Sequence, residues 1–181
     1  GSTHISYQLQ NGDVIIKTYA FVFARGGSKG VPGKNIRILA DKPLLAHSIQ
    51  LAHEISTVEK VFVSTDDADI ADVARKFGAE VIDRPEELAL DDSPEWKAWQ
   101  HAVKWVYESG DSFEVFLSLP TTSPLRNKND VNRCLQKLEE GFDCVVTITD
   151  TNRSPWFNMV KSESDGSFNL LLSGKEHIKR R

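Results

Sequence analysis

A chain of 181 residues, 40% apolar and 27% charged, suits one well-buried core and is too short for two ordinary domains. No apolar run is long enough to cross a bilayer, so no membrane partner is expected, and the formal net charge of −4 argues against nucleic acid, whose binders need a broad basic face. Cys134 and Cys144 stand in no C-x-x-C or Cys/His metal spacing, which points to two reduced, packed thiols in a cytoplasmic protein.

Residues 1–17 lack a cationic start followed by an apolar core and do not read as a signal peptide; the opening Gly1-Ser2 suggests a tag, or the stretch is an upstream extension. Within it, Tyr7 to Ile16 alternates around Asn11-Gly12, which predicts a hairpin. The remainder, 18–181, reads as one domain. Strands are predicted near 19–24, 60–64, 79–83, 113–119 and 142–149, with helices beginning near Pro43, Asp67, Pro94 and Asn129. That alternation implies an α/β fold with a doubly wound, mostly parallel sheet. Trp96, Trp99, Val103, Val106 and Tyr107 recur at helical spacing and are assigned to the core in preference to a base-stacking platform. Segment 150–181 is less regular, with 156–160 as a further strand candidate and Gly166 and Gly174 as turns.

The most informative stretch follows the apolar run Tyr19 to Phe23. From Ala24 to Asn35 it holds four glycines (Gly26, Gly27, Gly30, Gly33) and three cations (Arg25, Lys29, Lys34). Glycine lets backbone N–H groups come close to phosphate oxygens, and the cations neutralise charge that backbone dipoles alone do not hold. A dinucleotide fingerprint ending at Gly30 would need glycine where Arg25 stands, and a P-loop would need Ser or Thr after Lys34, where Asn35 stands. It is a third kind of phosphate loop, placed where the first strand of an α/β sheet opens into its ligand crevice. Transfer of a nucleotidyl group loads charge onto the leaving pyrophosphate, and Arg25 and Lys34 suit the task of holding it, together with the backbone of Gly26, Gly27 and Ser28. Lys29 is either a third such cation or a solvated side chain. Arg84 should stand at the carboxyl edge of the sheet facing the same crevice; an ordinary surface ion pair is the alternative. The turn Leu119 to Arg126 leaves the fourth strand at its carboxyl end and carries Thr122 and Ser123. Asp66, also at a strand end, is a metal or ribose ligand or, more simply, the cap of the next helix, and Asp91-Asp92-Ser93-Pro94 reads as another helix cap.

The string Ala-Arg-Gly-Gly-Ser-Lys-Gly-Val-Pro-Gly-Lys-Asn over 24–35 resembles the signature of the acylneuraminate cytidylyltransferases, the CMP-sialic acid synthetases and their legionaminate and pseudaminate relatives. The resemblance continues in order through Val63-Ser64-Thr65-Asp66, Phe77 to Val81, Arg84 to Ala89, Asp91 to Pro94 and Thr122 to Arg126. It implies a Rossmann-like nucleotidyltransferase fold and transfer of CMP from CTP to the anomeric hydroxyl of a nine-carbon 2-keto sugar acid, with Mg²⁺ or Mn²⁺ and a homodimer. It further implies that Arg25 and Lys34 contact the triphosphate, Asn35 the nucleotide, and Arg84 and Ser93 the cytosine. Many relatives have Gln-Pro before Thr-Ser-Pro, some with that Gln on the ligand; Pro120 and Thr121 stand there in this chain. Lys179-Arg180-Arg181 matches the opening of an Arg-Arg-Gln-Asp segment, which puts Arg181 near the reacting phosphate. Relatives continue beyond it with a metal-binding aspartate pair, much of the acyl-sugar pocket and a dimer arm, so the chain resembles a catalytic domain cut short, with its metal ligands expected beyond 181. The rivals are a 3-deoxy-octulosonate cytidylyltransferase, whose loop lacks Gly-Gly-Ser-Lys-Gly, and a fragment that binds CTP without turning it over.

Overall fold

The computed structural model describes residues 8–10, 13–148, 160–165 and 167–170. Strands β1 (Gln8–Gln10) and β2 (Asp13–Ile15) pair antiparallel with Gln10 opposite Asp13, the hairpin expected around residues 11 and 12. Strand β3 (Thr18–Phe23) leads through the glycine-rich loop to a 3₁₀ turn (Lys34–Ile36) and a small ribbon of β4 (Ile38–Leu39) and β5 (Lys42–Pro43). Then follow α1 (Leu44–Glu54), β6 (Val58–Thr65), α2 (Ala68–Lys76), β7 (Glu80–Asp83), a second 3₁₀ turn (Glu86–Leu88), α3 (Glu95–Glu108), β8 (Val115–Ser118) and α4 (Lys128–Glu139). A short antiparallel pair, β9 (Val160–Ser162) with β10 (Phe168–Leu170), comes last.

Local chemistry sets the helix ends. The Asp67 carboxylate accepts from the Ile70 amide at 2.9 Å and the Asn127 side chain from the Asp130 amide at 3.0 Å, so each occupies an orphan donor in the first turn of α2 or α4. Asp66 is therefore not the cap; its neighbour Asp67 is. Nor do Asp91, Asp92 and Ser93 cap α3, whose N-terminus is Pro94 without a side-chain bond.

The four longer strands form an all-parallel sheet in the order β7-β6-β3-β8. Ala20 lies opposite Val61 on one side of β3, and Tyr19 opposite Phe116 on the other. Strand β3 is buried on both faces, and its alternation sorts the two cores. Ala20, Val22 and Ala24 join Leu45, Ile49 and Ala52 of α1, Ile70 and Ala74 of α2 and Val131 of α4 in an aliphatic layer. Tyr19 and Phe21 join Phe62, Ile82, Phe113 and the α3 residues Ala102 and Val106 in an aromatic one. Phe21 stacks on Phe116 at 4.4 Å and on Phe62 at 5.4 Å between ring centroids. Of the α3 residues expected inside, Val106 is buried, whereas Trp96 and Tyr107 are 61% and 52% exposed and belong to the surface.

One expected strand does not form. Residues 142–148 run without ladder bonds, and Phe142, Val146 and Ile148 are exposed; residue 149 lies outside the described residues. A β-branched run becomes a strand only where it meets a partner edge, and among the described residues this one meets none. Cys144 sits in it and is exposed, so only Cys134, half-buried on α4, is packed as expected; both thiols are free. Of 156–160, only Val160 lies in a described element.

At the amino ends of the strands, the Tyr19 hydroxyl donates to Asp111 at 2.7 Å and Lys60 pairs with the same carboxylate at 2.8 Å. The Lys60 bond, then the Tyr19 bond, pulls the Asp111 carboxyl down to about 2. A depressed carboxyl stabilises the fold in full above about pH 4 and loses that contribution as pH falls toward the folded value. Asp111→Asn should lower the urea midpoint at pH 7 by about 1 kcal/mol equivalent, and the gap from wild type should close as titrations are repeated down to pH 2. Phe21→Ala, at the centre of the aromatic layer, should cost about 3–5 kcal/mol in the same measurement at any of these pH values.

Candidate nucleotide site

The chain runs outward from β3 through β6 to β7 and then returns to place β8 on the other side of β3. The crevice at the carboxyl ends of β3 and β8 is thus the topological switch point of the sheet, where ligands of doubly wound folds settle. Two loops open there: 24–33 after β3 and 119–126 after β8.

The phosphate loop is held at several points. The Ala24 amide extends the ladder to the Ser64 carbonyl at 3.1 Å. The Gly26 amide donates to the Asp66 carboxylate at 3.1 Å, and a Cβ on Gly26 would lie 2.9 Å from the Asp67 Cβ, so only glycine fits between the loop and the start of α2. Gly27 and Gly30 border open space, which leaves their backbone accessible to an incoming group. Gly33 adopts φ +63° to start the 3₁₀ turn that carries Lys34 and Asn35.

Asn35 is 4% exposed and joins the two loops: its Nδ2 donates to the Arg25 carbonyl at 3.0 Å, and its Oδ1 accepts from the Thr121 hydroxyl at 2.9 Å, Thr121 being as buried. The side chain expected on the nucleotide is engaged here in the scaffold. Thr121 supplies a hydroxyl to that buried bond. Thr122 and Ser123 are exposed at the tip of the turn, and Arg126 folds back to donate to the Pro120 carbonyl at 2.6 Å, its burial lowering its pKa.

The loop cations are not idle. Arg25 donates from Nη1 to the Ala89 carbonyl at 3.1 Å and from Nη2 to the Asp91 carboxylate at 2.7 Å. Lys29 is exposed and pairs with the other oxygen of Asp91. Lys29, then Arg25, holds the Asp91 carboxyl below its ordinary range. Lys34 is half-buried and, among the described residues, meets no carboxylate within ion-pair distance.

Arg84 stands at the carboxyl edge of β7, as expected, and it is not a surface ion pair. It is 9% exposed, donates from Nε to the Ser64 hydroxyl at 3.1 Å and from Nη2 to the Ser64 carbonyl at 2.7 Å, and lies 5.6 Å over the Phe23 ring. Burial lowers its pKa, and the negative charge of Asp66 and Glu95 works against that. A cleft of about 280 Å³ touches Arg84, Asp66 and Asp83; a larger one of about 400 Å³, beside Lys42 and Arg126, holds none of the nucleotide residues named from the sequence. Ser93 is half-buried, its amide on the Leu90 carbonyl at 3.2 Å. On α3, the His101 Nδ1 is buried without a partner, and burial followed by the charge of Arg84 lowers its pKa.

Among the described residues no three His, Cys, Asp or Glu side chains cluster so as to hold a metal ion, and the Asp66 carboxylate is occupied by the Gly26 amide. Arg181 lies outside the described residues. No helix among them is long and apolar enough to cross a membrane. Sequence reasoning missed the roles of Asp91, Thr121 and Ser64: an acidic pair ahead of a Ser-Pro reads as a helix cap, and only the folded chain brings Asp91 to Arg25 and Lys29 of the distant loop.

Comparison with known proteins agrees with this geometry. Residues 19–162 match the family described as Cytidylyltransferase. An N-acylneuraminate cytidylyltransferase of Escherichia coli is 37% identical over 76% of this chain and 32% of its own length. A CMP-N,N'-diacetyllegionaminic acid synthase of Legionella pneumophila is 34% identical over 83% of this chain and 66% of its own. The chain therefore spans between about a third and two thirds of these relatives. Among solved structures, a CMP:2-keto-3-deoxy-manno-octonic acid synthetase complexed with CTP superposes with a TM-score of 0.57 at 23% identity, covering 68% of this chain and 48% of that one, which supports the Rossmann-like nucleotidyltransferase fold alone. With residues 19–162 matched by that family, the chain belongs to the cytidylyltransferase family.

Proposed function

We propose that the whole protein transfers CMP from CTP to the anomeric hydroxyl of a nine-carbon 2-keto sugar acid of the sialic type, releasing pyrophosphate. The observation that carries this reading is the glycine-rich loop at the carboxyl end of β3, which sets Arg25 and Lys29 around one carboxylate, that of Asp91, and leads into the turn that bears Lys34. The names of the relatives, which include a pseudaminic acid cytidylyltransferase of Campylobacter jejuni, support the sugar-acid class over 3-deoxy-octulosonate, for which only a fold likeness speaks.

In this reading the hydroxyl oxygen bonds to the α-phosphorus while the bond from that phosphorus to the bridging oxygen breaks, and the departing pyrophosphate takes the electron pair. Arg25, Lys34 and the amides of Gly26, Gly27 and Ser28 meet the charge that develops on it. Arg84 offers donors, and Ser93 a hydroxyl, to the cytosine edge; Asn35 keeps the loop in register with Thr122 and Ser123. Arg181 is assigned to the reacting phosphate. Mg²⁺ or Mn²⁺ would neutralise phosphate oxygens, and its protein ligands are proposed to lie outside the described residues, with Asp66 the weak candidate within them. Residues 18–181 are then a nucleotidyltransferase domain without its usual C-terminal segment, 1–17 a tag or upstream extension, and the whole protein a cytoplasmic homodimer with no nucleic-acid or membrane partner.

Base selectivity tests the reading directly. A pocket built to hydrogen-bond one base leaves polar groups unpaired with another, so calorimetry should give tighter binding of CTP than of ATP or GTP; equal or tighter binding of GTP overturns the cytidylyl assignment. In a version extended by the native C-terminal segment, Arg25→Ala and Lys34→Ala should each lower turnover by about 10²–10³, the loss expected for one preorganised donor, with thermal melts unchanged; near-normal turnover removes that residue from the phosphate site. Pyrophosphate release by the chain of 181 residues, assayed beside the extended version, should stay at background. Comparable rates would place the metal ligands within 1–181 and make Asp66 the first residue to substitute.

A further inference from the structure

We propose that Asp91 is an internal stand-in for phosphate: it holds Arg25 and Lys29 around an anion position in the ligand-free loop and must be displaced when the phosphates of the nucleotide arrive. The inference rests on the nucleotide-site reading above and adds to it a competing group supplied by the chain itself.

Each oxygen of the Asp91 carboxylate serves a different cation, one bonding Arg25 at 2.7 Å and the other pairing with Lys29. Two oxygens on one centre, shared between a guanidinium and an ammonium, is also the contact a phosphate makes. Lys29 is 83% exposed, and among the described residues Asp91 is its one carboxylate partner, so this anion is what gathers it to Arg25. Asp91 makes no cap: α3 starts at Glu95 behind Pro94, without a side-chain cap. Its side chain is 41% exposed, so it can swing into water at small cost, whereas keeping it beside a triphosphate would set like charges together and divide a limited set of N–H donors between them.

Arg25 also donates to the Ala89 carbonyl, so the segment from Ala89 to Asp91 is tied to the glycine-rich loop at two points, and arrival of phosphates at Arg25 and Lys29 removes the one at Asp91.

Titration calorimetry with inorganic pyrophosphate, without metal, tests this on wild type, Asp91→Asn, Lys29→Ala and the double variant. Exposed ion pairs are individually weak, so Asp91→Asn should tighten pyrophosphate binding by about three- to tenfold, and most of that gain should vanish in the Lys29→Ala background; a substitution that merely loosened the segment would not depend on Lys29. Equal or weaker binding by Asp91→Asn overturns the stand-in and leaves the nucleotide site intact, with Asp91 a support for Arg25. No binding of pyrophosphate or CTP by wild type overturns both. Asp91→Ser is carried in parallel with thermal melts; if neither variant folds, Asp91 is structural and the proposal falls.

Discussion

Strand β3 is buried on both faces and hydrogen-bonded along both edges, and the position of every site residue follows from that. A strand so placed has no freedom to slip, because a shift of one residue would exchange Ala20 and Val22 with Tyr19 and Phe21 and force rings into the aliphatic layer. Its carboxyl end is consequently a fixed point, and the loop that leaves it starts from a known place and direction. The chain's return past β3 to form β8 opens the crevice at that same point.

Rigidity then passes from the sheet into the loops through a few buried polar bonds. Asn35 bonds the Arg25 carbonyl and the Thr121 hydroxyl, so the phosphate loop and the turn after β8 move as one. Ser64 fixes Arg84 from beneath with its hydroxyl and its carbonyl. A buried guanidinium without a bonded carboxylate is costly unless hydrogen-bonded; here two neutral acceptors and the Phe23 face meet part of that cost, and the nearby charge of Asp66 and Glu95 offsets burial in part. The site thus keeps positive charge at Arg84 and at Lys34, while the half-buried Arg25 and the exposed Lys29 are paired with Asp91.

The two cores divide the labour. The aliphatic layer packs β3 and β6 against α1, α2 and α4; the aromatic layer beneath α3 takes in Phe23 at the loop-facing end of β3, over whose ring Arg84 lies. Trp99 lies 6.2 Å from Phe23, which continues the aromatic stack to the edge of the crevice.

Much of this was legible in the amino-acid order. Alternation and apolar runs gave the strands β3, β6, β7 and β8 and the four helix starts, since these signals are local and the core rewards them. The glycines and cations of 24–35 announced an anion site for the same reason: backbone approach and charge are properties of the residues themselves. What the order of residues could not decide is which side chain meets which across the fold. Asp66 and Asp67 are alike in sequence, yet one binds the loop and the other caps α2, because the end of β6 turns one to each side. Asn35 reads as a ligand contact and here bonds Arg25 and Thr121, Asp91 reads as a cap and is a counter-ion, and 142–149 reads as a strand, of which 142–148 meets no partner edge among the described residues. Contacts between distant segments depend on sheet order and register, and those are settled only when all the strands pack at once.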